Sequence, residues 1–77
     1  MSDQTLDLTG LRCPLPILRA KKALAAAAGG SVITVLATDP GAPGDFAAFC
    51  RHTGHELLSS ETLENGVFQM VIRRKAA

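Results

Sequence analysis

Cys13 stands in the run Gly10-Leu11-Arg12-Cys13-Pro14-Leu15-Pro16, between a short strand pattern and a helix pattern. A cysteine at the mouth of a helix sits beside unpaired backbone N–H groups and the positive end of the helix dipole. Both favour thiolate, the nucleophilic form of cysteine. Prolines in a first helical turn cost little, because N–H groups there lack intrahelical partners. With Cys13 as N-cap, Pro14 falls at N1 and Pro16 at N3, leaving the Leu15 N–H for the sulfur to accept. Arg12, Arg19, Lys21 and Lys22 cluster around the same point and add positive charge. The opposing reading is the ordinary fate of a free cysteine, a small buried hydrophobe. The helix-mouth position favours the reactive one.

Cys50 is expected to behave differently. It shares a predicted inner helix face with Phe46, Phe49 and Thr53, which makes it a core residue. The segment Cys50-Arg51-His52-Thr53-Gly54-His55 invites a metal reading, yet it lacks a fourth ligand at the usual spacing. His55 reads as a surface residue opening a strand. No metal and no cofactor are expected.

The elements that must position Cys13 follow from periodicity. Thr5 to Thr9 alternate, with Leu6 and Leu8 on one face, as in a short strand ended by Gly10. Pro14 to Ala28 form a predicted helix with Ile17, Ala20, Leu24, Ala27 and Ala28 inward and Arg19, Lys22 and Ala26 outward. Leu15 falls near that basic outer face, as a surface residue or part of a docking surface. Gly29-Gly30 are expected to cap the helix. Ser31 to Thr38 read as a central strand, and Asp39 to Gly44 as a turn-rich loop. A second helix begins at about Pro43 or Asp45 and ends at Thr53, before Gly54. Glu56 to Glu64 and Val67 to Arg74 form a hairpin around Asn65-Gly66, the signature of a type I′ turn. Phe68, Met70 and Ile72 point inward, and Lys75-Ala76-Ala77 reads as a frayed tail.

The predicted order, β-α-β-α-β-β, implies a right-handed crossover and a parallel first strand pair. The expected fold is α/β (α+β): a two-layer sandwich with two helices on one face of a four-stranded mixed sheet. The loops after the first two strands then emerge at one end, bringing Asp39 and Asp45 near Cys13 in the crevice where open α/β sheets bind ligands. The two aspartates read first as turn and helix-start residues.

At 77 residues the chain has room for one core, ordered over about 5–74. A net charge of +1 gives no general drive toward nucleic acid. Three Phe without Tyr or Trp offer no stacking platform for bases. No apolar run approaches a membrane span. Met1-Ser2-Asp3-Gln4 lacks the basic and apolar regions of a secretory signal, so a cytoplasmic location with reduced thiols is expected.

Leu8-Thr9-Gly10-Leu11-Arg12-Cys13-Pro14-Leu15-Pro16 resembles the Cys-Pro-x-Pro signature of the TusA/SirA family of small sulfur carriers. Asp39-Pro40, Asp45, Phe49-Cys50 and Gly54-His55-Glu56-Leu57 resemble that family's second-helix region at the same spacing, so the likeness spans roughly 5–74. The resemblance implies a two-layer α/β sandwich in which Cys13 carries sulfane sulfur as a persulfide. Arg12, Pro14 and Pro16 would support the motif, and Leu15, Arg19 and Lys22 would dock partners. Implied donors are a cysteine desulfurase or a rhodanese-type protein. Implied acceptors are relay proteins of tRNA thiolation, sulfur oxidation or cofactor biosynthesis. Leu15 departs from the acidic residue frequent there among tRNA-thiolation members.

A carrier of this kind is a relay rather than a stand-alone enzyme, since a lone cysteine without acid, His or metal turns over small substrates poorly. Two other classes compete. A nucleic-acid-binding or regulatory module would use the basic helix, against the near-neutral charge. A thiol redox protein would need a resolving cysteine near Cys13.

Overall fold

The computed structural model describes residues 4–76. The elements run β1 (Gln4–Leu8), α1 (Leu15–Ala26), β2 (Val32–Ala37), α2 (Ala42–Thr53), β3 (Glu56–Thr62) and β4 (Phe68–Arg73), with a single 3-10 turn at Glu64–Gly66. The sheet order is β1-β2-β4-β3. β1 pairs parallel with β2, while β4 runs antiparallel to both β2 and β3. The expected two-layer α/β fold with a mixed four-stranded sheet is therefore present.

Alternation along the strands decides which face is covered. Leu6 and Leu8 stand opposite Val35 and Ala37, and Ile33 and Val35 opposite Ile72 and Met70. These residues meet Ala20 and Leu24 of α1 and Ala42, Phe46 and Cys50 of α2 in one core. Residues one step out of phase, Thr5, Thr34 and Gln69, lie on the uncovered face. Period-two strands and period-3.6 helices thus agree on a single apolar layer.

Element ends show where local reading misplaced boundaries. β1 stops at Leu8 rather than Thr9, because the Asp7 carboxylate accepts from both the N–H and the hydroxyl of Thr9, at 3.1 and 2.6 Å. That local turn removes Thr9 from the ladder. Helix α1 ends at Ala26, not Ala28, and its C-cap is Ala27 rather than a glycine. The Leu24 carbonyl at this end accepts from the Ala27 N–H at 3.2 Å and also from Arg74 Nε, distant in sequence, at 2.6 Å. Ala28 is consequently exposed rather than inward. For α2 the glycine cap is as expected, with Gly54 left-handed at φ 87° and its N–H bonded to the Cys50 carbonyl at 2.9 Å.

Asn65 and Gly66 take φ of 62° and 73°, the positive pair that a type I′ hairpin turn requires. The tail is held rather than frayed as far as it is described. Lys75 N–H donates to His55 Nδ1 at 3.0 Å, and Arg74 exchanges backbone bonds with Ser31 and Gly30. Ala77 of the predicted tail, and Met1 to Asp3 of the N-terminal segment, lie outside the described residues. Among the described residues no helix is long and apolar enough to cross a membrane.

Candidate functional site

The site begins with a turn. Gly10, at φ 82°, reverses the chain after β1, a backbone state that residues with a side chain rarely adopt. Its N–H donates to Thr38 Oγ1 at 2.8 Å, joining the loop after β1 to the loop after β2. The parallel pairing of β1 with β2 makes this possible, because it delivers both loops to the same end of the sheet.

Cys13 lies in the following turn, exposed, with a cis peptide bond to Pro14. It is not the N-cap of α1. The Leu15 N–H donates to the Arg12 carbonyl at 2.9 Å, which closes a turn before the helix and leaves Pro14 as N-cap. Leu15 is then N1 and Pro16 N2, each shifted by one from the expected position. Leu15 N–H is already taken, so it is not the donor expected to face the sulfur. Pro14 stays exposed, whereas Pro16 is buried beneath the turn.

The electrostatics of Cys13 also reverse the expectation. Partial desolvation, followed by the negative charge and hydrogen bond of Asp45 and the charge of Asp39, pushes the thiol above its usual range. Arg12, Arg19, Lys21 and Lys22 are all exposed, so solvent screens their fields, while the two carboxylates are held close by the loop. Both aspartates converge over Gly41, whose α-carbon would carry a side chain 3.4 Å from Asp39 Oδ2 and 3.5 Å from Asp45 Oδ2. Two backbone bonds of 2.9 Å, Ala42 N to the Asp39 carbonyl and Asp45 N to the Gly41 carbonyl, fix this arrangement. The predicted proximity of the Asp39-to-Asp45 loop to Cys13 is present; its effect is to raise the thiol pKa rather than lower it.

Beside the turn lies a cleft of about 400 Å³ lined by Gly10, Leu11, Arg12, Thr38, Asp39 and Pro40. Arg12 therefore faces the crevice outside the parallel strands together with an aspartate. On the other side of Cys13, Leu15 is 44% exposed and Leu18 52% exposed, one turn apart on α1. Arg19, Lys21 and Lys22 are exposed next to them. Sequence reasoning named Leu15, Arg19 and Lys22 but missed Leu18. Its three-residue spacing from Leu15, off the Ala20–Leu24 stripe, was the available signal.

A match to the family model described as sulfurtransferase TusA covers residues 4–74. The chain belongs to the TusA family. A Neisseria meningitidis serogroup A protein is 64% identical over 75 residues, spanning 97% of this chain and all of that one. The sulfur carrier protein TusA of Allochromatium vinosum is 54% identical over 72 residues, covering 94% of this chain and 93% of its own. The crystal structure of a SirA-like protein from Desulfitobacterium hafniense superimposes with a TM-score of 0.83 at 32% identity, covering 94% of this chain and 97% of that chain. The similarity thus extends over the sandwich as well as the Cys-Pro-Leu-Pro turn.

The remaining sequence candidates separate cleanly. Cys50 is buried, 5% exposed, and burial raises its thiol pKa. His55 is half-buried rather than a surface residue: its ring packs 5.8 Å from that of Phe49, and its Nδ1 accepts from Lys75. Among the described residues no group of three or more His, Cys, Asp or Glu side chains could hold a metal ion.

Proposed function

We propose that this chain is a sulfur carrier that holds sulfane sulfur as a persulfide on Cys13. The observation that carries this reading is the contrast between two free cysteines in a TusA-family chain. Cys13 is exposed on a turn flanked by Leu15 and Leu18, and Cys50 is sealed in the core. An exposed thiol with no metal-binding cluster, paired histidine or second thiol beside it among the described residues suits a relay better than turnover of a small substrate.

Loading requires a donor persulfide, supplied by a cysteine desulfurase or a rhodanese-type protein. The Cys13 thiolate attacks the outer sulfur, a new S–S bond forms to Cys13, and the donor's S–S bond breaks. The donor cysteine leaves as thiolate. Sulfane sulfur moves without net oxidation or reduction, and the proton lost by Cys13 ends on the donor thiolate or in water. Desolvation and the Asp45 and Asp39 carboxylates raise the thiol pKa, so attack proceeds through the thiolate fraction that remains. Leu15 and Leu18 supply the apolar part of the docking surface, and Arg19 and Lys22 a cationic edge that steers acidic partners. Unloading repeats the exchange, with a cysteine of a downstream relay protein as attacker. The chain does not act alone on small molecules, and a cytoplasmic site of action follows from this role.

The test is intact mass after incubation with a cysteine desulfurase and free cysteine. The wild-type chain gains one sulfur, removable by reductant; Cys13→Ser gains none, and Cys50→Ser gains one. Loading on Cys50, or a disulfide in place of the persulfide, would overturn the assignment.

A further inference from the structure

Strand β1 is a sheet edge. It pairs with β2 on one side, and among the described residues no strand covers the other. An open edge carries backbone N–H and C=O groups ready to pair with an added strand. Along this edge, between β1 and α1, runs a groove of about 440 Å³. Leu6, Ala23, Ala26 and Ala27 form its apolar floor, and Gln4, Arg19 and Lys22 stand on its rim, with no acidic residue among the described lining. Small alanine side chains on α1 create the depression, since larger residues there would fill the space over Leu6.

We infer that this groove takes an extended, acid-flanked segment of a protein that exchanges sulfur with the carrier, added as a strand to β1. Three features select that occupant. The free edge supplies main-chain partners, which favours an extended polypeptide over a compact ligand. In an added strand, alternate side chains face the same layer. One apolar residue would fill the alanine floor, and a carboxylate two positions from it would reach the Arg19 and Lys22 pair at one end of the groove. The charged groups of the described lining, Arg19 and Lys22, are both cations, so complementarity favours acids. Helix α1 runs away from Cys13 at about 1.5 Å per residue, putting Ala26 roughly 16 Å beyond Leu15. A segment bound there leaves Cys13 uncovered, so a partner can keep hold of the carrier while its own reactive site reaches the thiol. This role as a tether rests on the carrier reading; the groove's selectivity does not.

The probe is the peptide acetyl-Thr-Glu-Thr-Leu-Thr-Glu-Thr-amide, compared with its counterpart carrying Lys in place of both Glu. Binding is followed by amide chemical shifts of the full chain at low salt. Shifts are expected at Gln4–Leu8 and Arg19–Ala27, with added exchange protection on β1 amides, for the acidic peptide and not the basic one. Ala26→Glu should weaken binding at least tenfold, and Ala26→Leu, which fills the floor without adding charge, should weaken it by less. Ala26 is exposed and both replacements are good helix formers, so the fold is retained. Equal binding of the two peptides, shifts centred elsewhere, or no effect of Ala26→Glu would overturn the proposal. Sulfur loading of the Ala26 variants is measured in parallel by intact mass. A chain that binds the peptide but never loads Cys13 refutes the carrier reading and leaves the groove standing.

Discussion

Thr38 Oγ1 accepts a hydrogen bond from the Gly10 N–H at 2.8 Å and so ties the loop that presents Cys13 to the loop that presents Asp39. The two strands leading into these loops are parallel, so one short bond sets the spacing of the thiol and its acidic neighbours. Thr38→Val keeps the shape and removes the acceptor. It is expected to cost about 0.5–1.5 kcal/mol in urea denaturation. Gly10 amide exchange should accelerate by more than that of β2, and Thr38→Ser should restore it. Unchanged Gly10 exchange in the valine variant would remove the bond's role in holding the loops.

Desolvation raises the Cys13 pKa, the charges of Asp45 and Asp39 raise it further, and Asp45 adds a hydrogen bond. Asp45→Asn removes a negative charge, so the thiolate becomes easier to form and the midpoint of alkylation against pH moves down. Asp39→Asn moves it the same way by less, since its contribution is the smallest. At neutral pH both variants should react faster with iodoacetamide than wild type. A midpoint that stays put or rises in Asp45→Asn contradicts this account.

Arg74 is a distant cap on α1. Its Nε donates to the Leu24 carbonyl at 2.6 Å across 50 positions of sequence, at a helix end with no basic residue in its own last turn. Loss of a hydrogen bond to a charged group costs roughly 1.5–3 kcal/mol. Arg74→Ala should therefore lower the denaturation midpoint, and Arg74→Lys should recover part of it, since Lys brings charge without the guanidinium geometry. Sulfur loading on Cys13, at the other end of α1, should persist in folded protein. A stability equal to wild type for Arg74→Ala would show that water replaces the cap.

His55 gives the fold an acid limit. Desolvation, then the nearby charges of Lys75 and Arg74, lower its pKa, and its neutral Nδ1 accepts the Lys75 N–H. The folded state thus binds the proton less readily than the unfolded chain. This contribution is complete above the unfolded value of about 6.5 and is lost as pH falls through the lowered folded value. Denaturation midpoints measured across that window should decline on acidification. His55→Gln should flatten the decline, and an equally steep decline in that variant would assign it to other groups.

The comparison of chain and fold divides along sequence distance. Alternation at Leu6 and Leu8, the Phe46–Cys50 spacing and the Asn65-Gly66 pair each determine their own face or turn within a few residues. These local signals sufficed to read the sandwich, the exposed Cys13 and the buried Cys50. They failed wherever a partner arrives from afar. Arg74 adds a cap at Leu24 where α1 ends, and His55 is half-buried because the tail and Phe49 close on it. The sign of the field at Cys13 is the clearest case. Its neighbours in sequence are cations, but their long side chains extend into solvent and are screened. The carboxylates that govern the thiol reach it only because parallel pairing of β1 with β2 brings their loop to the same end of the sheet. The sequence by itself determined which cysteine is presented. Only the tertiary structure decided that its thiol pKa is raised rather than lowered, because desolvation and Coulomb energy follow distance through space and not along the chain.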